Sequence, residues 1–486
     1  MTEALSAADW WQEAAADSAP IEVHHHVTAV VVSRAGAEWL PRTLQSLRAQ
    51  TRAIDYLAAV DIASDDSSIT LLQSAGAKTL QQMPLGTTHG QAIAQTESSL
   101  ALVEGQVEWL WIIHDDSAPE PQALERLIQA ANKSPHAAVI GCKVVDWEHG
   151  RHVLEVGSSI TSIGTRFTGL ERGERDQGQH DQLHAVHAVS TAGMLIRRDM
   201  WQQLGGFAEE LPHFRTELEF CWRVWEAGSE VVIEPEARIR HAAATIRELR
   251  AADLEGHSPH LLDRQAGAQI ILSRTQPRWM WARALLLLTA AVLRGAGYIL
   301  VQDLIDAREE LRGILRAVRH QSAIKSLRAK KGAIALPSGI RATTSEQISH
   351  AMTEFVDAVE RGWFRLLDAL FPDRLHSDDV GYGQALSAIL RRPTAILTTA
   401  TVVAGLVITR TGWGTEQLIV PGVGYVPASS IELWNQFLGS WHAVGIGSDQ
   451  PSHPLTALVA VLSLVTAANP SIFVVLLSAF GPWLAA

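Results

Sequence analysis

Glu108-Trp-Leu-Trp-Ile-Ile-His-Asp-Asp-Ser-Ala-Pro-Glu-Pro121 is the stretch whose reading decides the fold. Trp109 to Ile113 is a short continuous apolar run, the pattern of a strand covered on both faces in a largely parallel sheet. The run stops at His114-Asp115-Asp116, and Ser117 with two prolines then predicts a helix beginning near Gln122. In open α/β sheets ligands sit outside the carboxyl ends of the strands. Adjacent carboxylates at such a place attract a divalent cation, and a hard cation can hold a diphosphate. By itself the tripeptide favours a solvated turn capping the next helix.

The flanking sequence repeats the pattern. Val27 to Ser33 and Tyr56 to Val60 read as further buried strands, the second running into Asp61-Ile-Ala-Ser-Asp-Asp-Ser67. Helices are expected over Glu38 to Gln50, Ile69 to Ser74, Gln91 to Leu102 and Pro121 to Asn132, with a short strand near Lys78 to Gln82 and another over Ala138 to Val145. Strands alternating with helices of this length imply an α/β fold with a Rossmann-like, mostly parallel sheet and right-handed crossovers. Acidic groups at neighbouring strand ends would give one crevice lined by Asp61, Asp66, Asp115 and Asp116. Neither GxGxxG nor GxxxxGK[ST] stands at a strand-to-helix junction, so phosphates would be held by metal instead of a helix N-terminus. Residues 151 to 185 are polar and loop-rich, which in a compact domain marks a functional or disordered insertion. Beyond them lie an apolar, small-residue segment Val186 to Arg198, a helix from Thr216 to Gly228, and a strand Glu230 to Ile233 followed by His241.

Composition narrows the class. The chain has 486 residues, 47% of them apolar, and a net charge of −12. Mean hydropathy is +0.06, raised by the C-terminal third. The acidic balance argues against nucleic acid as a partner. Cys142 and Cys221 do not suggest a disulfide framework. Residues 1 to 20 lack the basic start and apolar core of a signal peptide, so the N-terminal half is expected on the cytoplasmic side.

The order of these motifs resembles the family-2 glycosyltransferases with a GT-A fold, over about Val27 to Arg250. The segment Glu38-Trp-Leu-Pro-Arg-Thr-Leu44 resembles the family's opening, and Asp61-x-x-Ser64-x-Asp66 its nucleotide-binding turn. His114-Asp115-Asp116 stands where the family carries its DxD metal motif. Gly193-Met-Leu-Ile-Arg-Arg198 and Leu204-Gly-Gly-Phe207 resemble the acceptor-side segment, and Thr216-Glu217-Leu-Glu219-Phe-Cys-Trp-Arg223 the helix that carries the general base. Two departures stand out: His114 replaces the first Asp, and the base is a Glu. Members using galactofuranose or rhamnose donors, and actinobacterial membrane-fused members, resemble this chain most closely. In the former a histidine after the last strand completes the metal site, and His241 matches it.

The resemblance implies an inverting sugar transfer from a UDP- or dTDP-sugar to a lipid-linked or cell-envelope glycan. It implies Glu217 as base, Asp116, His241 and His114 around Mn²⁺ or Mg²⁺, and Asp61, Asp66 and Asp115 on the nucleotide side. Each has a plainer reading: Glu217 as a helix-N-terminal carboxylate, Asp66 as a cap, His241 as an ordinary histidine. The competing functions are a processive polysaccharide synthase and a non-catalytic binding scaffold. The synthase motif QxxRW has only the shorter Gln276-Pro-Arg-Trp279 to match it.

These readings divide the chain into a tail (1–26), the catalytic domain (27–265), interfacial and basic helices (266–331), a linker with an amphipathic helix over Ile348 to Phe371 (332–392), and a transmembrane region (393–486). Trp281 to Val301 is apolar but interrupted by Arg294 and followed by a basic helix, Arg308 to Lys331. Spanning would put that helix outside, against the positive-inside tendency. The expectation is therefore a helix in the interface, with the basic helix on anionic headgroups; the alternative is a helical hairpin packed on the catalytic domain. Thr394 to Ile408 reads as a span whose basic flank lies inside, and Leu455 to Ala468 with Ser471 to Ala486 as a broken span or hairpin. The expected place is the cell membrane, with the chain a fragment of a longer multi-span protein.

Overall fold

The structure is a computed structural model and describes residues 24–171, 173–181, 185–211, 213–245, 257–300, 303–337, 339–341, 417–420, 424–427, 429–439, 454–463 and 469–485. Residues 1–23 of the expected tail, the helix over Ile348 to Phe371 and the span Thr394 to Ile408 lie outside these residues, while His25 and His26, also assigned to the tail, begin the first strand. What is described falls into two compact units, one of residues 24–299 and 304–341 and the other of Leu300, Asp303 and the residues from Gln417 onward.

The first unit is built on a nine-stranded mixed sheet. Its strands are β1 (His25–Ser33), β2 (Tyr56–Ile62), β3 (Thr79–Met83), β4 (Val107–His114), β5 (Ser117–Pro119), β6 (Ala137–Asp146), β7 (Val153–Glu155), then, after a separate hairpin of β8 (Ser159–Ile160) and β9 (Arg166–Phe167), β10 (Leu195–Arg197) and β11 (Glu230–His241). The order across the sheet is β3-β2-β1-β4-β10-β6-β11-β5, with β7 beside β6. Side chains alternate across the pleat. Val27, Ala29 and Val31 of β1 pack on one face with Trp109, Trp111 and Ile113 of β4. Val30, Val32, Leu110 and Ile112 pack on the other. The apolar run is thus buried on both faces, as expected of it. Helices Leu40–Arg48 and Ala123–Lys133 cover the first face through Leu40, Leu44, Leu47, Leu124 and Leu127. Helices His89–Ser98 and Thr216–Glu226 contribute Ile93, Leu218, Phe220 and Val224 to the second core. A capping box of Thr88 and Gln91 starts the first of these, a turn earlier than its apolar spacing suggests.

Strands β3-β2-β1-β4 and the pair β6 and β11 run parallel, as expected of a mostly parallel sheet, while β10 runs antiparallel to both β4 and β6. The helix expected near Gln122 begins at Ala123; ahead of it Ser117 to Pro119 forms an unexpected edge strand β5, antiparallel to β11, with His241 opposite Ser117. Proline has no N–H to give a ladder and is tolerated on an edge. Finally, β11 continues from Glu230 to His241 past an irregularity between Glu234 and Arg238, so His241 ends a strand of the sheet. Cys142 and Cys221 are free and buried, and no disulfide joins them.

The region after the catalytic sheet also departs from expectation. Helix Pro259–Arg274 is capped by Ser258, whose hydroxyl accepts from the Leu261 N–H at 3.1 Å. Helices Leu304–Arg319 and Gln321–Ala329 pack on it, burying Ile314, Ala317, Ile324 and Leu327. Gly313 permits the approach, since a Cβ there would stand 2.8 Å from the Leu261 carbonyl oxygen. The basic stretch is therefore docked on the catalytic unit. Its apolar face has a protein partner, so it does not lie free on headgroups. Helix Met280–Leu300 buries Ala284, Leu287 and Ala291 and exposes Trp281, Leu285, Val292 and Leu293. Arg294, the interruption in that apolar run, meets Glu310, whose side chain has no solvent exposure. Among the described residues Pro277–Tyr298 is the one helix long and apolar enough to cross a membrane. In the second unit a hairpin of Gln417–Val420 and Gly424–Pro427 and helices Ser430–Leu438, Pro454–Leu462 and Pro470–Ala485 share a cluster of Val426, Leu433, Val459 and Val474.

Candidate active site

Strand β1 pairs with β2 on one side and β4 on the other, and the chain runs outward in opposite directions from that point. Such a reversal leaves a crevice at the carboxyl ends of the strands. Val32 is opposite His114 and Ser33 opposite Asp61, so the acidic segments after β2 and β4 stand side by side. A cavity of ≈ 390 Å³ opens here, walled by His114, Asp116, His241 and Glu217 together.

The metal candidates are brought together by edge strand β5. It draws the chain from β4 across to β11, leaving Asp116 between the two strand ends. Ligand atoms of His114, Asp116 and His241 all lie within 4.8 Å of one another. One Asp116 carboxylate oxygen accepts from the Ala244 N–H at 2.8 Å. The other lies 3.3 Å from His241 Nε2. The His114 ring stands 5.5 Å from that of His241 and 5.3 Å from that of His89. Two imidazoles and one carboxylate form a mixed N/O set suited to Mn²⁺-type ions, and their convergence fits one.

Glu217 occupies the first turn of helix Thr216–Glu226 and faces the same cavity. Burial pushes its carboxyl above the ordinary value, and the Arg166 guanidinium works against that rise. Arg166 donates to Glu155. Burial opposes the Arg166 charge, but Glu155 and Glu217 outweigh it and hold the guanidinium above its ordinary value. The turn before the helix is strained: His213 and Arg215 have φ of 60° and 64°, a region non-glycine residues rarely enter. Asp263, from helix Pro259–Arg274, fastens it by a two-pronged contact to Arg215, whose Nη2 lies 2.8 Å from Asp263 Oδ2. Burial raises the Asp263 carboxyl, but Arg215 outweighs it and brings the group down to about 2. Glu155 Oε1, Arg166 Nε and Arg215 Nη1 are buried with no hydrogen-bond partner among the described residues, leaving polar capacity beside Glu217.

The other expected residues sit behind this wall. Asp115 is buried and accepts from the Arg34 N–H at 2.8 Å and the Ser33 hydroxyl at 3.3 Å. A Cβ on Gly36 would stand 2.2 Å from the same Asp115 oxygen, so glycine is needed where that carboxylate approaches. Asp61 accepts from the Ser64 hydroxyl and N–H, at 2.5 and 3.1 Å. Asp66 accepts from the N–H groups of Ala37 and Ser68, both at 2.9 Å. Its burial raises the carboxyl, but the Ser68 and Ala37 hydrogen bonds bring it below the ordinary value. The crevice expected of four aspartates thus narrows to Asp116 in the cavity wall, with Asp61, Asp66 and Asp115 ordering the loops that carry Arg34 to it. Sequence reasoning missed Arg34, His89, Glu155, Arg166 and Asp263, all of which line the cavity. Only the polar character of residues 151 to 185 hinted at two of them.

Residues 24–259 match the family described as glycosyltransferase like family 2. A pre-mycofactocin glycosyltransferase of Mycobacterium tuberculosis is 25% identical over 224 residues, 45% of this chain and 43% of that protein. The chain thus spans less than half the length of the curated relatives it matches. Among solved structures, Staphylococcus aureus TarS 1-349 in complex with UDP-GlcNAc is 14% identical with a TM-score of 0.38, covering 63% of this chain and 88% of that one. A Pyrobaculum calidifontis mannosyltransferase in complex with GDP-Man and Mn²⁺ is 12% identical with a TM-score of 0.36, covering 75% and 94%. With the mixed α/β sheet and the family match in agreement, residues 24–259 are a glycosyltransferase domain of glycosyltransferase-like family 2.

Proposed function

We propose that this domain transfers a sugar from a UDP- or dTDP-sugar to a hydroxyl of a lipid-linked or cell-envelope glycan, with inversion, at the cytoplasmic face of the cell membrane. The carrying observation is that Glu217 and the His114, Asp116 and His241 group wall one cavity. Bound at those three side chains, Mn²⁺ or Mg²⁺ would supply positive charge for the departing nucleoside diphosphate. Glu217 receives the proton of the acceptor hydroxyl as that oxygen forms its bond to the anomeric carbon and the bond to the phosphate oxygen breaks on the opposite side. A carboxylate raised by burial is a stronger base than one in water, and the Arg166 guanidinium favours its charged form. Glu155 and Arg166 offer unused polar atoms to sugar hydroxyls. Asp61, Asp66 and Asp115 hold the nucleotide-side loops in place. Membrane association rests on the apolar helix Pro277–Tyr298. Gln276 and Trp279 line a different cavity from Glu217, which favours single addition over the processive reading.

The test is transfer by the full chain in detergent, with UDP- and dTDP-sugars, with Mn²⁺ and with chelator. Glu217→Gln should lower transfer by about 10²- to 10⁴-fold, the usual worth of a general base, while donor affinity is retained. Asp116→Asn and His241→Ala should weaken the response to Mn²⁺. Near-normal turnover by Glu217→Gln would refute the assignment.

A further inference from the structure

A second cavity, of ≈ 690 Å³, lies on the other side of helix Thr216–Glu226, lined by Trp222, Arg274, Trp279, Arg283, Lys331 and Arg341 among others. None of these residues lines the cavity of Glu217. Four of the six are cations. Arg274 is already paired, 3.3 Å from Glu219 and 3.2 Å from Glu226. Arg283 and Arg341 have no carboxylate partner among the described residues; they donate to the backbone carbonyl oxygens of Ser162 and Ile160, both at 3.3 Å. Arg341 Nε is buried with no hydrogen-bond partner among the described residues. The Arg341 guanidinium stands 5.0 Å from the Trp222 ring centre and that of Arg274 5.4 Å from it, so the indole holds both cations in place. Burial lowers the Arg341 value, and the neighbouring Arg283 lowers it further. Arg283 and Arg341 therefore share a cavity whose carboxylate among the described residues, Glu226, is already paired with Arg274.

The mouth of this cavity is apolar. Trp279 is 59% exposed and Trp281 is 71% exposed. Trp279, Arg283 and Leu286 follow one another at i, i+4 and i+7, so they share one face at the start of the apolar helix. Leu293 continues that face, and both leucines are exposed. A ligand that satisfies both halves carries an anion on a long apolar chain. Guanidiniums match the oxygens of a phosphate with parallel N–H donors.

We propose that this cavity binds the phosphate monoester headgroup of a membrane lipid, with the lipid chain running along the exposed face of helix Met280–Leu300. The site would hold the lipid anchor of an acceptor, or the membrane itself, one helix away from the catalytic cavity. It deepens the acceptor side of the proposed function and rests on that reading only for the acceptor being lipid-borne.

The experiment is a titration of the full chain, in uncharged dodecyl maltoside micelles, with dodecyl phosphate. Tryptophan fluorescence is the readout, since Trp222 and Trp279 line the site. Inorganic phosphate and dodecylphosphocholine are the comparison probes. Dodecyl phosphate should bind about tenfold or more tightly than either, because only it offers both a chain and a doubly charged group with free oxygens. Arg283→Gln with Arg341→Gln should lose about tenfold in affinity, whereas the Lys pair should lose less, charge being kept and the fork lost. Lys331→Gln, at an exposed position, should weaken binding about two- to threefold and guards against misfolding of the buried variants. Equal affinity of wild type and the Gln pair would overturn the proposal, and so would inorganic phosphate binding as tightly as dodecyl phosphate, which would mark a site for a free anion. Mn²⁺-dependent hydrolysis of the nucleotide sugar by the same wild-type preparation, without dodecyl phosphate, reports on the catalytic reading alone.

Discussion

Glu310→Gln should be among the most damaging single changes outside the active site. The carboxylate has no solvent exposure and sits among two guanidiniums and an imidazole: Arg294 Nε at 2.7 Å, Arg264 Nε at 2.9 Å and His260 Nε2 at 3.0 Å. The two guanidiniums are only 17% and 11% exposed. Burial acts to raise the Glu310 carboxyl, but Arg264, His260 and Arg294 together bring it from 4.5 down to about 2. At 1.36 kcal/mol per pH unit that difference corresponds to about 3 kcal/mol. Glutamine keeps the shape and drops the charge, leaving two buried cations facing each other, a loss of about 3–5 kcal/mol for broken buried pairs. For a unit of this size the melting midpoint should fall by about 6–15 °C, read by near-ultraviolet circular dichroism of the full chain in detergent. Because the folded value is depressed, this contribution is intact above pH 4.5 and disappears as pH falls towards 2. Wild type should lose the advantage over Glu310→Gln across that window. A midpoint within about 2 °C of wild type at pH 7 would refute the argument that Arg294 docks the apolar helix to the catalytic unit.

Two further changes probe the active site. Asp263→Asn removes the partner of Arg215 and frees the strained turn before Glu217, so turnover should fall about tenfold with donor affinity unchanged, Asp263 acting as a positioning residue; steady-state kinetics with a donor-binding titration checks this. Gly36→Ala places a methyl 2.2 Å from the Asp115 carboxylate, and should destabilise by about 1–3 kcal/mol as an overpacking change while weakening donor binding through Arg34, measured by denaturant unfolding and by titration with the nucleotide sugar.

What the sequence by itself determined is what repeats locally. The unbroken apolar runs in Val27 to Ser33 and Trp109 to Ile113 decide that both faces are covered, because strand geometry sends neighbouring side chains to opposite sides. The apolar spacing of Leu40, Leu44 and Leu47 decides a helix, because residues three and four apart share one helix face. His114 and Asp116 were legible because they stand at the end of such an element, where polar groups interrupt an apolar run, whereas Glu217 was marked only by the resemblance of its helix to the family's.

Only the tertiary structure decided which of these ends meet. Edge strand Ser117–Pro119 looks like a helix start in sequence, yet pairing with β11 makes it the link that sets Asp116 beside His241. Arg215 finds Asp263 48 residues on, and Arg294 finds Glu310 across 16. No periodicity records such pairs, because a buried charge needs a partner in space and leaves its place in the chain unspecified. For that reason Arg294 reads in sequence as a flaw in an apolar helix, while in the folded protein it ties that helix to the catalytic unit.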